Sequence, residues 1–118
     1  MIHATFWENK DSELYGFLVR GHAGYAPVGA DIVCAAVSTL VLTAAAGLKH
    51  FLTLDPLIEE RAKDSSDIYV KLILPEDLTE DERRSAQVIL ETMELGMRGI
   101  SGNYGKYLEV RRCYNNEI

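Results

Sequence analysis

The run from Ile32 to Leu48 contains no charged residue, and few features constrain a fold as strongly. Its length touches the lower limit of a membrane span, about 17 residues. Its composition does not suit that role: it is rich in Ala and carries Ser38, Thr39, Thr43 and Gly47. Amphipathic strand patterns flank it on both sides. The run therefore reads as a helix from Asp31 to about Leu52, ending near Gly47 or just before Asp55 and Pro56. Being apolar on most of its circumference, it must be covered on most sides, within a protein core or between two subunits.

The rest of the chain supplies the cover. Ile2 to Glu8 alternates apolar and polar residues, and Glu13 to Val19 is rich in strand formers. Asn9, Lys10, Asp11 and Ser12 carry turn chemistry, so the two runs form a hairpin. Gly21, Gly24, Pro27 and Gly29 mark a loop from Gly21 to Ala30. Leu57 to Ala62 is a weak strand and Ile68 to Leu74 a strong one, with Asp64, Ser65, Ser66 and Asp67 turning between them. Thr79 and Glu82 have the spacing of a capping box, and Glu80, Asp81 and Glu82 suit the positive end of a helix dipole. Ala86, Ile89, Leu90, Met93, Met97 and Ile100 then form one apolar stripe. Gly102 and Asn103 end that helix, and Tyr107 to Cys113 reads as a last strand. The expected fold is α+β in the order ββαββαβ: a single domain over 1–118, a sandwich of a mixed, largely antiparallel sheet with two helices.

Charge and cysteine content narrow the chemistry. Twelve Lys and Arg against eighteen Asp and Glu give a net charge of −6, poorly suited to gripping phosphate backbones, so no direct nucleic-acid binding is expected. A basic polypeptide substrate would be tolerated and steered inward. Two cysteines cannot build a disulfide framework, and the chain starts with a strand-like run rather than a signal peptide. A reducing cytoplasm without membrane attachment is the expected setting.

The segment Gly21-His22, then Gly29, Asp31-Ile32, Cys34-Ala35-Ala36-Val37-Ser38 concentrates the chemical signals. With Asp31 as N-cap, Cys34 falls in the first helical turn, where free backbone donors and the dipole favour the thiolate. His22 ends a glycine-rich loop that can close back on this helix start, offering an acid/base to the thiol. Asp31 could both cap the helix and orient the imidazole, and the Cys34 amide could hold an oxyanion. Plainer readings stand beside these: a small buried cysteine, a solvated loop histidine and an ordinary cap. Ser38, one turn beyond Cys34, either serves the site or bonds back to the Cys34 carbonyl. Gly21, Gly24 and Gly29 either let the loop move over substrate or simply connect two elements.

This pattern closely resembles that of the bacterial ribosomal-processing cysteine proteases known as Prp, in a chain of similar length and element order. The resemblance implies catalytic residues at His22 and Cys34, with Asp31 and Ser38 as further motif members. It also implies a homodimer without metal or cofactor. The implied substrate is the large-subunit ribosomal protein numbered twenty-seven, from which these enzymes remove an N-terminal extension.

The remaining candidates are weaker. Cys113, His3 and His50 lack ligand spacing for a metal, and Met93 and Met97 read as core. Two rivals to proteolysis remain at the level of sequence. One is a non-enzymatic assembly factor binding a ribosomal protein. The other is a thiol switch in which Cys113 resolves an oxidised Cys34, which requires the two sulfurs to approach.

Overall fold

The computed structural model describes residues 1–22, 28–61 and 67–114, without the side chains of 22 and 28–31. Its elements are β1 (Ile2–Glu8), β2 (Leu14–His22), α1 (Val28–Phe51), β3 (Leu57–Glu60), β4 (Asp67–Ile73), α2 (Glu80–Asn103) and β5 (Leu108–Tyr114). The expected order ββαββαβ is the observed one. The five strands lie in the order β3-β4-β2-β1-β5. Only the β1–β5 pairing is parallel, so the sheet is mixed and largely antiparallel.

Strand alternation decides which face is covered. Ile2, Ala4 and Phe6 of β1, Phe17 and Val19 of β2, and Leu72 of β4 are buried on one face, in matching register. Both helices contribute to that same core, α1 through Val33, Val37, Val41, Ala44 and Leu48, and α2 through Ala86, Leu90, Met93 and Met97. Two helices thus cover one side of the sheet, and among the described residues no element covers the other, bare face.

The β1–β2 turn is built as its residues suggest. The Asn9 side-chain oxygen accepts from the Asp11 and Glu13 amides at 2.9 and 3.1 Å, an arrangement that short polar side chains favour. A bulge follows, because Glu8 pairs with Leu14 while Trp7 pairs with Gly16. The extra residue moves Leu14 onto the core face, and Tyr15 stacks on Trp7 with ring centroids 6.2 Å apart. Gln87 of α2 occupies the backbone groups of Leu14, accepting from its amide at 2.7 Å and donating to its carbonyl at 2.5 Å.

Two carboxylates fix the helices. The capping box at Thr79 and Glu82 is present. Glu82 also accepts from the Thr53 amide at 2.7 Å and its hydroxyl at 2.9 Å, joining the end of α1 to the start of α2. These bonds, led by the Thr53 amide and then that of Thr79, lower the Glu82 pKa to about 2. Further along α2, Glu94 is buried. It accepts from Arg98 at 3.0 Å and from Arg112 of β5, which also reaches Glu8 at 3.4 Å. Burial pushes the Glu94 carboxyl up, but hydrogen bonds from Arg112 and Arg98 outweigh it and hold it below the usual range.

Several boundaries differ from expectation. α1 begins at Val28, so Asp31 is its fourth residue and not its N-cap. A helix that starts just after Pro27 gains three residues of intrahelical bonding, and Gly29 opposes this by only about 1 kcal/mol. Gly21 and His22 belong to β2, held by pairing to Ile68 and Asp67, rather than to a loop. β3 ends at Glu60. Ala62, the turn residues Asp64, Ser65 and Ser66, and the loop positions 23–27 lie outside the described residues.

Two predictions follow from the carboxylates. Glu94→Ala leaves Arg112 half-buried without its main partner, and should lower stability in urea unfolding by about 3 kcal/mol. An unchanged midpoint would contradict the pairing. Glu82 has a folded pKa below its unfolded value, so its contribution is complete above about pH 4.5 and is lost as pH falls toward about 2. Acid unfolding of Glu82→Gln should show a shallower dependence across that window than wild type.

Candidate active site

β2 delivers its last residue, His22, to one end of the sheet, directly opposite Asp67 of β4. Five residues separate it from the start of α1, so the first turns of the helix and the end of β2 share that end of the fold. Cys34 is the seventh residue of α1, about 9 Å along the helix axis from Val28. It is half-buried and packs against the core. Val33 and Val37 beside it are fully buried, whereas Ile32 is 52% exposed. The thiol therefore sits on the seam between the core face and the outer face of α1, where a side chain can be supported from below and approached from above.

The second-turn position changes part of the chemistry expected from sequence. Only the first few amides of a helix lack intrahelical partners, and the Cys34 amide is not among them. It is thus not the free donor for an oxyanion that an N-cap at Asp31 implied. Ser38 lies one turn further on and is half-buried. Among the described residues its hydroxyl has no hydrogen-bond partner, so it does not bond back to the Cys34 carbonyl. Its neighbour Thr39 does make such a bond, to Ala35 at 2.9 Å. Asp31 and Gly29 lie in the first turn of α1. Gly24 falls outside the described residues.

Gly21 is the site position whose residue type the backbone dictates most clearly. Its φ is +133°, a region that side-chain-bearing residues rarely adopt. A Cβ there would meet the Met1 carbonyl oxygen at 2.3 Å and the Ile2 Cα at 2.9 Å. The start of β1 thus presses against the residue that precedes His22. Asp67 and Met1 were not singled out from sequence, because their closeness to His22 and Gly21 exists only once β4, β2 and β1 are in register. Cys113 lies elsewhere: it pairs with Trp7 at the opposite end of β1, on the bare face of the sheet. Both cysteines are free thiols. No group of three or more His, Cys, Asp or Glu side chains suited to a metal occurs among the described residues.

Gly21→Ala should destabilise the protein by about 2 kcal/mol, through backbone strain and displacement of the first β1 residues. Thermal unfolding together with faster amide exchange at Ile2 and Arg20 would report it. Wild-type exchange at those amides would contradict the close approach.

Known proteins share this fold. The family described as cysteine protease Prp matches residues 1–109. The ribosomal processing cysteine protease Prp of Bacillus subtilis is 31% identical over 110 residues, spanning 93% of this chain and 96% of that protein. A solved Streptococcus mutans protein superposes with a TM-score of 0.82 at 28% identity, covering 98% of this chain and 96% of its own. A ribosomal processing protease Prp of S. aureus, solved with a substrate peptide, gives a TM-score of 0.77 at 20% identity. That match covers 96% of this chain and all of the other.

Proposed function

Since the chain belongs to the cysteine protease Prp family, we propose that Cys34 is its nucleophile, His22 its acid/base, and a ribosomal protein precursor its substrate. The observation that carries this is the shared location of the end of β2 and the start of α1, with Cys34 half-buried at the edge of the core. The Cys34 thiolate attacks the scissile carbonyl carbon and forms a tetrahedral oxyanion. Collapse of that intermediate breaks the C–N bond as His22 protonates the departing amine. Water, deprotonated by His22, then hydrolyses the thioester and returns the thiol. Asp31 and Ser38 support the pair from the same stretch of α1. Gly21 shapes the backbone ahead of His22, and Gly29 lies in the first turn of α1.

The substrate is an extended peptide: the N-terminal extension of the large-subunit ribosomal protein numbered twenty-seven. A solved relative from S. aureus holds a covalently linked product peptide, which suits covalent catalysis on this fold. The reaction requires no metal or cofactor, and a thiol nucleophile suits the reducing cytoplasm. A thiol switch between Cys34 and Cys113 is disfavoured, because the sheet separates them.

The enzyme works as a homodimer. α1 remains long and apolar enough to cross a membrane, yet its inner side is committed to the core. Its outer side leaves Leu42 63% exposed, and Val88 of α2 is 64% exposed. Between the helices runs a groove of about 270 Å³, lined by Leu40, Thr43, Ala44, Gly47, Ile89 and Met93 among others. A second copy covering this surface meets the demand that a lone domain leaves open.

Incubation with a peptide spanning the extension junction, read by mass, tests the activity. Wild type should give two products. Cys34→Ala should give none, and His22→Ala should be slower by at least about 100-fold. Cleavage by Cys34→Ala at the wild-type rate would refute the assignment. Sedimentation should show a dimer that Leu42→Glu with Val88→Glu converts to monomer. A wild-type monomer at micromolar concentration would contradict the proposed interface.

A further inference from the structure

The helices occupy one face of the sheet, and the bare face has a charge unlike that of the chain as a whole. Three rows of cross-strand neighbours make it up. Tyr69, Arg20, His3 and Glu109 form the first, Lys71, Leu18, Thr5 and Arg111 the second, and Ile73, Gly16, Trp7 and Cys113 the third. In a chain of net charge −6, this face gathers Arg20, Arg61, Lys71 and Arg111. Of its carboxylates, Glu59 stands across from Lys71 on the edge strand β3 and is held by Arg61 at 3.0 Å, Glu109 is held by His3 at 3.3 Å, and Asp67 opens β4. Among the described residues, Arg20, Lys71 and Arg111 have no carboxylate partner. Arg111 donates only to the Thr5 hydroxyl at 3.3 Å. Lys71 and Arg111, in one row across four strands, are about 14 Å apart at the backbone.

Aromatic rings stand among these cations. The Arg61 guanidinium lies 4.4 Å over the Tyr69 ring and donates to the Tyr69 hydroxyl at 2.7 Å, so its plane is held in place. The Lys71 ammonium lies 5.8 Å over Trp7, which itself stacks on Tyr15. Unpaired cations for phosphates, beside aromatic and guanidinium planes for bases, are what a sheet needs to hold a single strand. A duplex has its bases stacked inside and offers only its phosphates to such a surface.

We propose that the bare sheet face binds single-stranded RNA, through phosphate contacts from Arg20, Lys71 and Arg111 and stacking at the Arg61–Tyr69 plane. Net charge argues against phosphate binding only when charge is spread evenly, and here it is not. The surface lies on the opposite side of the sheet from α1 and Cys34, so RNA and a peptide substrate can be held together. Such binding would bring the protease to precursors already associated with RNA.

Fluorescence anisotropy with a labelled short oligouridine tests this. With three phosphate contacts, affinity should fall about 20-fold between about 50 and 200 mM salt. Combined Arg20→Gln, Lys71→Gln and Arg111→Gln should weaken binding at least about tenfold at the lower salt and leave peptide cleavage intact. Arg20→Gln alone, at an exposed position, should weaken it about threefold and guards against misfolding of the triple variant. Arg83→Gln with Arg84→Gln, on α2, should bind as wild type. The proposal is overturned if wild type does not bind at about 50 mM salt or if the triple variant binds equally. Equal displacement by an oligoglutamate peptide would also overturn it, by assigning the face to acidic polypeptides.

Discussion

A helix without charge over most of its length has to be covered, and the other elements are arranged around that requirement. The sheet takes the inner stripe of α1, from Val33 to Leu48, and α2 takes one flank. Because both helices lie on one side, β1, β2 and β4 are apolar on one face and mixed on the other. The same requirement is unmet on the outer side, where Leu42 and Val88 project. The proposed dimer is therefore a consequence of the same burial that makes the fold.

Packing alone would let two long helices slide over a sheet. Glu82 fixes their relative position at one end, with a carboxylate shared between Thr53, just beyond α1, and the cap of α2. Glu94 fixes α2 against the parallel edge strand β5 through Arg112. At the other end, Gly21 admits the start of β1 so closely that no side chain fits. This tight end is where β2 hands over to α1. A strand end and a helix start that share one end of the fold are a physical basis for the proposed pairing of His22 with Cys34.

Much of the fold was legible in the residues. Period-two alternation marked β1 and β4, the capping box marked α2, and the uncharged run marked α1. The start of α1 was misplaced because Asp31 is the best cap by residue type, whereas the helix gains more by continuing back to Val28. Gly21 and His22 looked like loop because glycine signals a break, but pairing with Ile68 and Asp67 overrides that local preference. Strand order, the parallel β5 and the nearness of Asp67 to His22 arise from pairing between distant segments, which no local pattern encodes. Of the proposed site, His22 and Cys34 were picked out through their motif. The second-turn position of Cys34, and with it the loss of its amide as an oxyanion donor, required the structure.

Membership of a cysteine protease family leaves open which thiol of this chain reacts, and the fold separates the two candidates clearly. Cys34 lies on the seam of α1 at the His22 end, and Cys113 lies on the bare sheet face opposite Trp7. The most direct measurement is peptide mapping by mass after brief treatment with a peptidyl chloromethyl ketone, in wild type and in His22→Ala. One adduct is expected, on Cys34, forming rapidly in wild type and slowly without His22. Modification of Cys113 at an equal rate, or of Cys34 at the same rate in both proteins, would contradict it.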